Sequence, residues 1–120
     1  TRAGLLHMFT ILDPESGSPV GSIDIRPDVA KFRADIGLWI GKPHHGKGIG
    51  TRAVTEITAY GFEKLGLSKI EGHVFVGNVA SRRIFEKCGY QLEGTIRSCV
   101  QKRGKAMDEW VLGILRSEMK

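Results

Sequence analysis

Cysteine is scarce in this chain of 120 residues, with only Cys88 and Cys99, and long apolar runs are missing altogether. Two thiols are too few for a disulfide framework or a four-cysteine zinc site, and a reducing cytoplasm is their simplest home. The apolar runs stop after a handful of residues, far short of the roughly 20 that a helix needs to cross a bilayer, so no membrane span is expected. Thr1-Arg2-Ala3-Gly4-Leu5-Leu6 carries no apolar stretch and cleavage pattern of the kind that marks a secreted precursor. An initiator Met is absent too, and the expectation is a chain that begins partway into a longer native sequence. Glycine, by contrast, is plentiful at 16 residues. It falls in separated turns and one dense loop, which excludes collagen, low-complexity disorder and a flexible linker. With 41% hydrophobic and 26% charged residues, positions 1–120 read as a single globular domain. At this length about two thirds of the unfolded surface can be buried, enough for a core without staples.

Lys and Arg number 18 against 13 Asp and Glu, a net charge of +5. An anionic partner follows, whether nucleic acid, a membrane surface or a phosphorylated cofactor. Nucleic acid is disfavoured, because no aromatic platforms are spaced along a strand and the basic residues scatter over helices and turns.

Leu5 to Leu12 is apolar and closes on the turn signal Asp13-Pro14-Glu15-Ser16-Gly17-Ser18-Pro19; Val20 to Arg26 reads as the returning strand and Phe32 to Ile40 as a third. The connections are short, which predicts an antiparallel meander. Beyond Gly41-Lys42-Pro43 the period changes. Val54, Ile57, Gly61 and Leu65 lie on one stripe of a helix running from Ile49 to Leu65, and Gly66 is a natural stop. Lys69 to Val76 is a strand, and Asn78 can cap a helix from Val79 to Lys87 that ends at Cys88-Gly89. Strands at Tyr90 to Arg97 and Met107 to Leu115 complete the order βββαβαββ, an α/β fold with one crossover and a mixed, mostly antiparallel sheet.

The densest chemical signal is Pro43-His44-His45-Gly46-Lys47-Gly48-Ile49-Gly50-Thr51, between a strand and a long helix. Amides at such a junction converge where the helix dipole favours an anion, and glycines let that anion come close. A P-loop fails, because Gly48 stands where the magnesium-binding Ser or Thr belongs. A dinucleotide fingerprint fails at Thr51, where its third glycine belongs.

A third cradle matches. His45-Gly46-Lys47-Gly48-Ile49-Gly50 resembles the pyrophosphate loop Gln/Arg-x-x-Gly-x-Gly/Ala of the GCN5-related N-acetyltransferase (GNAT) family, with His45 in place of Gln or Arg. Asn78-Val79-Ala80-Ser81-Arg82-Arg83-Ile84-Phe85-Glu86-Lys87-Cys88-Gly89-Tyr90 resembles that family's Asn-x-x-Ser-x-x-x-aromatic-x-Lys-x-Gly-Tyr stretch. With Glu93-Gly94 and Asp108-Glu109 it is similar to the RimJ/RimL-like branch, the ribosomal-protein N-terminal and spermidine acetyltransferases. The resemblance covers about residues 4 to 115. It implies a V-shaped splay between two central parallel strands and acetyl-CoA as cofactor. It further implies direct transfer of an acetyl group to a primary amine on a protein N-terminus, a polyamine or a small molecule. A catalytically silent acyl-CoA-binding module is the alternative. The family fold usually opens with a strand and two helices that precede Leu5; a sheet face left bare by their absence would be sticky, leaving a homodimer open.

The same resemblance assigns roles. Backbone groups of Leu38, Trp39 and Ile40 would hold the pantetheine arm, with an N–H at Leu38 or Trp39 polarising the thioester carbonyl. His45, Gly46, Lys47, Gly48, Ile49, Gly50 and Thr51 would bind the diphosphate, Asn78 and Lys87 further parts of the cofactor, and Ser81 would protonate the departing thiolate. Phe85 stands where related enzymes carry a tyrosine acid. No carboxylate occupies the usual base position near Val100; Asp24, Asp35 and Glu71 are candidates elsewhere, beside a base in a segment preceding Leu5 or an amine that arrives neutral and gives its proton to water. Adjacent His44 and His45 cannot easily converge on one ion, so no metal is expected.

Overall fold

The structure is a computed structural model that describes residues 6–28, 32–41 and 48–119. Six strands form one sheet: β1 (His7–Leu12), β2 (Pro19–Pro27), β3 (Arg33–Ile40), β4 (Lys69–Phe75), β5 (Gln91–Lys102) and β6 (Lys105–Leu115). Helix α1 (Ile49–Glu63) connects β3 to β4, and α2 (Val79–Lys87) connects β4 to β5. The spatial order is β1-β2-β3-β4-β6-β5, with β3 and β4 the one parallel pair. The last hairpin therefore folds back so that its second strand, not its first, pairs with β4.

Turn chemistry explains the local punctuation. Gly17 has φ 75° and donates its N–H to the Asp13 carbonyl, closing the β1–β2 connection. Arg103 and Gly104, at φ 52° and 77°, form a two-residue turn whose twist suits the strands on either side. That tight turn carries pairing as far as Lys102↔Lys105, so β5 and β6 reach further than the expected Arg97 and Met107. Helix α1 stops at Glu63, two residues before the expected Leu65, and Gly66 at φ 69° takes the chain off the helix.

Alternation on the central strands separates two faces. Ile23, Ile25, Ala34, Ile36, Ile70 and Val74 are buried beneath Val54, Ile57 and Phe62 of α1 and Phe85 of α2. The opposite face carries Asp24, Asp35, Glu71 and His73. Among the described residues both helices cover the first face only. That asymmetry matters because β3 and β4 pair from Arg33↔Lys69 to Ile36↔Gly72 and then part. Each keeps its outer neighbour beyond that point: β3 stays on β2 through Ile40, and β4 stays on β6 through Phe75. A slot thus opens between the C-terminal halves of the two parallel strands, as the V-shaped splay requires.

Candidate functional site

Strand phase decides which backbone groups look into the slot. Gly41 donates to the Val20 carbonyl and Asp28 to the Arg33 carbonyl, at 2.8 and 2.9 Å, and the β2–β3 register runs unbroken between those two bonds. Odd-numbered residues of β3 therefore exchange hydrogen bonds with β2, while even-numbered ones turn toward β4. Ala34 and Ile36 meet β4; Leu38 comes after the ladder has ended, and its N–H faces the slot. Of the two residues considered for polarising a carbonyl, the geometry selects Leu38. Trp39 turns its main chain to β2, paired with Ser22, and is 63% exposed.

A cleft of about 420 Å³ opens on the helix side of the slot, lined by Leu38, Trp39 and Ile40 of β3, residues Gly48 to Thr51, and Asn78, Ser81 and Ile84 of α2. Gly48 adopts φ 77° with no side-chain cap, and the first helical bond runs from the Arg52 N–H to its carbonyl at 3.1 Å. The N–H groups of Ile49, Gly50 and Thr51 lack intrahelical acceptors, as in any first turn. No acidic residue occupies that turn to neutralise it. Gly50 is needed for packing: an added Cβ would sit 2.7 Å from Ile84 Cδ1 and 2.9 Å from Ile40 Cδ1, so α1, α2 and β3 converge on it. His45, Gly46 and Lys47 lie outside the described residues.

Asn78 is the N-cap of α2, its Oδ1 accepting the Ser81 N–H at 3.2 Å. Its side-chain amide is left over for the cleft. Half-buried Ser81 lines the same wall, and Arg83 and Lys87 stand exposed at the rim. Arg82 stacks 4.7 Å above the Trp110 ring and pairs with Glu86. Phe85 is 2% exposed, its ring pressed on Gly72 and edge-on to Tyr90 at 5.1 Å. It points into the core, where an acid would be of no use. Cys88 Sγ donates to the Thr51 carbonyl at 3.3 Å, and burial pushes its thiol pKa up, away from thiolate chemistry.

On the far side of the slot lies a group whose centre was not legible beforehand. His73 Nδ1 is 3.1 Å from Glu109 Oε1, while Nε2 lies 3.4 Å from Glu71 Oε1 and 3.6 Å from Asp35 Oδ1. Hydrogen bonding to Asp35, reinforced by Glu109 and Glu71 and opposed by burial, pushes the His73 pKa up to about 9. The same contact lowers that of Asp35. Asp35 and Glu71, both candidate bases, are thus brought together; Asp24 sits apart over Gly37, paired with Arg26 at 4.0 Å. Asp35, Glu71 and His73 offer three donor atoms within 4.8 Å of one another. The signal available in the sequence was Glu71 and His73 at i and i+2, on one face of a strand. Val100 lies on β5 opposite Met107, its side chain outside the described residues. A second groove of about 500 Å³ between β1 and α1 is lined by Phe9, Ile11 and Tyr60, and its two charged residues, Arg52 and Glu56, pair with each other.

Comparison with known proteins agrees with this geometry. A family model described as the acetyltransferase (GNAT) domain matches residues 1–91. The N-acetyltransferase p20 of Bacillus licheniformis is 30% identical over 116 residues, 96% of this chain and 65% of that protein. The N-acetyltransferase YoaA of Bacillus subtilis is 37% identical over 98 residues, 81% of this chain and 55% of its own length. A GNAT-family acetyltransferase from Bacillus anthracis superposes with a TM-score of 0.84 at 25% identity, covering 92% of this chain and 67% of that one. A spermidine N-acetyltransferase from Vibrio cholerae gives 0.83 at 26%, covering 93% and 66%. The chain thus spans about half to two thirds of the length of the curated relatives it matches. Among the described residues no helix is long and apolar enough to cross a membrane.

Proposed function

The chain belongs to the GNAT acetyltransferase family, and from that premise we propose that it transfers an acetyl group from acetyl-CoA to a primary amine by direct attack within a ternary complex. The observation that carries this reading is the parting of β3 and β4 after Ile36↔Gly72, with the Leu38 N–H beyond the last ladder pair. An extended arm laid in the slot can take up that main-chain group as a further strand would. The cleft leads from the slot to the N-terminus of α1, whose first turn lacks acidic residues while Arg83 and Lys87 border the rim, a charge pattern suited to a diphosphate.

In this reading the amides of Gly48 to Thr51, together with His45, Gly46 and Lys47, hold the diphosphate. Asn78 steadies the arm with its free amide, and Lys87 and Arg83 steer the phosphates. The Leu38 N–H donates to the oxygen that gains charge as the amine adds to the carbonyl. A single donor of that kind is commonly worth about 10²–10³ in kcat. Ser81, on the same wall as Asn78, supplies a proton to the departing sulfur. The spermidine N-acetyltransferase among the solved relatives makes a polyamine the first acceptor to try, beside peptides with a free N-terminus. A reducing cytoplasm, where acyl donor and free thiols coexist, is the setting implied.

Calorimetric titration with acetyl-CoA, followed by thiol release across a panel of amines, tests the proposal. Binding and release with at least one amine are expected. Binding without release under every acceptor would overturn acetyl transfer. Gly48→Glu, which sets a carboxylate at the mouth of the anion site, should abolish acetyl-CoA binding.

A further inference from the structure

The face of the sheet that carries no helix holds the one cluster of imidazole and carboxylate donors among the described residues. We propose that Asp35, Glu71 and His73 bind a divalent transition-metal ion, zinc foremost, at the mouth of the fork, and that the bound ion blocks the approach of the amine. The site itself stands apart from the acetyl-transfer reading; the block rests on it.

The distances suit coordination. Donors about 2.1 Å from a tetrahedral ion stand roughly 3.4 Å from one another. His73 Nε2 lies 3.4 Å from Glu71 Oε1 and 3.6 Å from Asp35 Oδ1, and all three donors fall within 4.8 Å of one another. A rotation of Asp35, whose side chain is 52% exposed, completes the triangle. The other two ligands are already held. The Glu71 side chain is 9% exposed, and Arg33 and Lys69 each meet its Oε2 at 3.3 Å, which turns Oε1 to the ring. Glu109 takes Nδ1 at 3.1 Å and leaves Nε2 for the ion, the pairing of carboxylate with imidazole that orients zinc ligands. Strand pairing supplies the convergence: Asp35 and Glu71 are ladder partners on β3 and β4, His73 follows two residues along β4, and Glu109 comes from β6.

Charge favours an ion of charge 2+. Arg33 and Lys69 serve Glu71, whereas among the described residues no Lys or Arg stands within 4.0 Å of Asp35 or Glu109. Those two carboxylates carry two negative charges, which a protonated ring halves and a 2+ ion beside a neutral ring cancels. On binding, the ion takes the place of the ring proton between Nε2 and the carboxylates, and that proton leaves to solvent. One imidazole with two carboxylates suits zinc better than magnesium or calcium, which prefer six or more oxygens. Three protein ligands also leave a fourth position open. The ion sits on the open face beside Gly37, just past the last ladder pair Ile36↔Gly72, where an amine must pass to reach a carbonyl at the Leu38 N–H.

The full chain tests the site. Calorimetric titration with zinc chloride should show one ion per chain, bound about 100-fold more weakly by His73→Gln and about 10-fold more weakly by Glu109→Gln, which withdraws the charge that orients the ring. Asp24→Asn, on the same face but outside the donor set, should stay within about threefold of the parent. Cobalt(II) should give the visible bands of a four-coordinate ion in the parent and none in His73→Gln. Zinc should raise the Tm of the parent and leave that of His73→Gln unchanged, a scan that also shows the variant to be folded. In the transfer assay zinc should compete with the amine and not with acetyl-CoA, and EDTA should restore the rate. A titration without a one-to-one site, equal affinity in the parent and His73→Gln, or competition with acetyl-CoA would each overturn the assignment. A parent that transfers acetyl to no amine overturns the acetyl-transfer reading and the block with it, while the zinc titration decides the site.

Discussion

Gly72→Ala probes the point on which both faces of the slot depend. A Cβ there would stand 2.5, 2.6 and 2.8 Å from three ring carbons of Phe85, against the 3.5–4.0 Å of ordinary carbon contact. The ring must retreat by about 1 Å. It has little room, being 2% exposed and stacked edge-on to Tyr90. Overpacking of this kind costs about 1–3 kcal/mol. Alanine returns ~0.5–1 kcal/mol of strand propensity, leaving a net loss of about 1 kcal/mol. For a domain of this size that lowers Tm by roughly 4–8 °C, measurable by circular dichroism. The retreat also displaces α2, which brings Asn78, Ser81 and Ile84 to the cleft, so acetyl-CoA affinity should fall in step. Pairing Gly72→Ala with Phe85→Leu should cost about 1 kcal/mol less than the two singles summed. An unchanged or higher Tm for Gly72→Ala, or strict additivity of the pair, would refute the close approach.

Gly48→Ala meets nothing within 4 Å but must hold φ 77°, so it should lose about 1 kcal/mol by differential scanning calorimetry, and Gly48→Asn should recover part of that. Tyr90→Phe strips the buried Thr58 hydroxyl of its 2.6 Å partner and should cost about 1–3 kcal/mol in urea unfolding, whereas a neutral outcome would mean that water replaces the bond. Stability should also depend on pH in a defined sense. The His73 contribution is complete below its unfolded value of 6.5 and is lost as pH rises through about 9, while that of Asp35 is present above 3.8 and lost as pH falls below it. Tm should therefore be highest between about pH 4 and 6.5, and His73→Gln should flatten the alkaline decline; a decline left unchanged in that variant would place its origin elsewhere.

What was legible in the sequence followed from local rules. The period change at Ile49, the stop at Gly66 and the cap at Asn78 each depend on residues within one or two turns, and the structure places a helix boundary near each. Leu38, Asn78 and Ser81 could be singled out because two separated motifs share one fold. The phase of β3 could not be read in advance, since whether Leu38 or Trp39 faces the slot is set by register against β2, a long-range relation. His73 escaped notice for a similar reason. Its partners come from β3, β4 and β6, and Glu109 reaches it through the pairing that inserts β6 beside β4.

The fork itself has a thermodynamic consequence that links the two faces. Strands that part leave inner-edge main-chain groups without their ladder partners, and a buried amide left unpaired costs about 1–3 kcal/mol. β2 and β6 keep the outer edges satisfied through Ile40 and Phe75, so the deficit is confined to the inner edge, at Leu38 above all. Water can fill that deficit in the free protein, but a ligand carrying its own amides and a carbonyl fills it without being a strand of the chain. The ion pair of His73 with Asp35 ties β4 to β3 just where the ladder stops, which keeps the parting from running back toward Arg33. One side chain, His73, is then positioned to limit how far the slot opens.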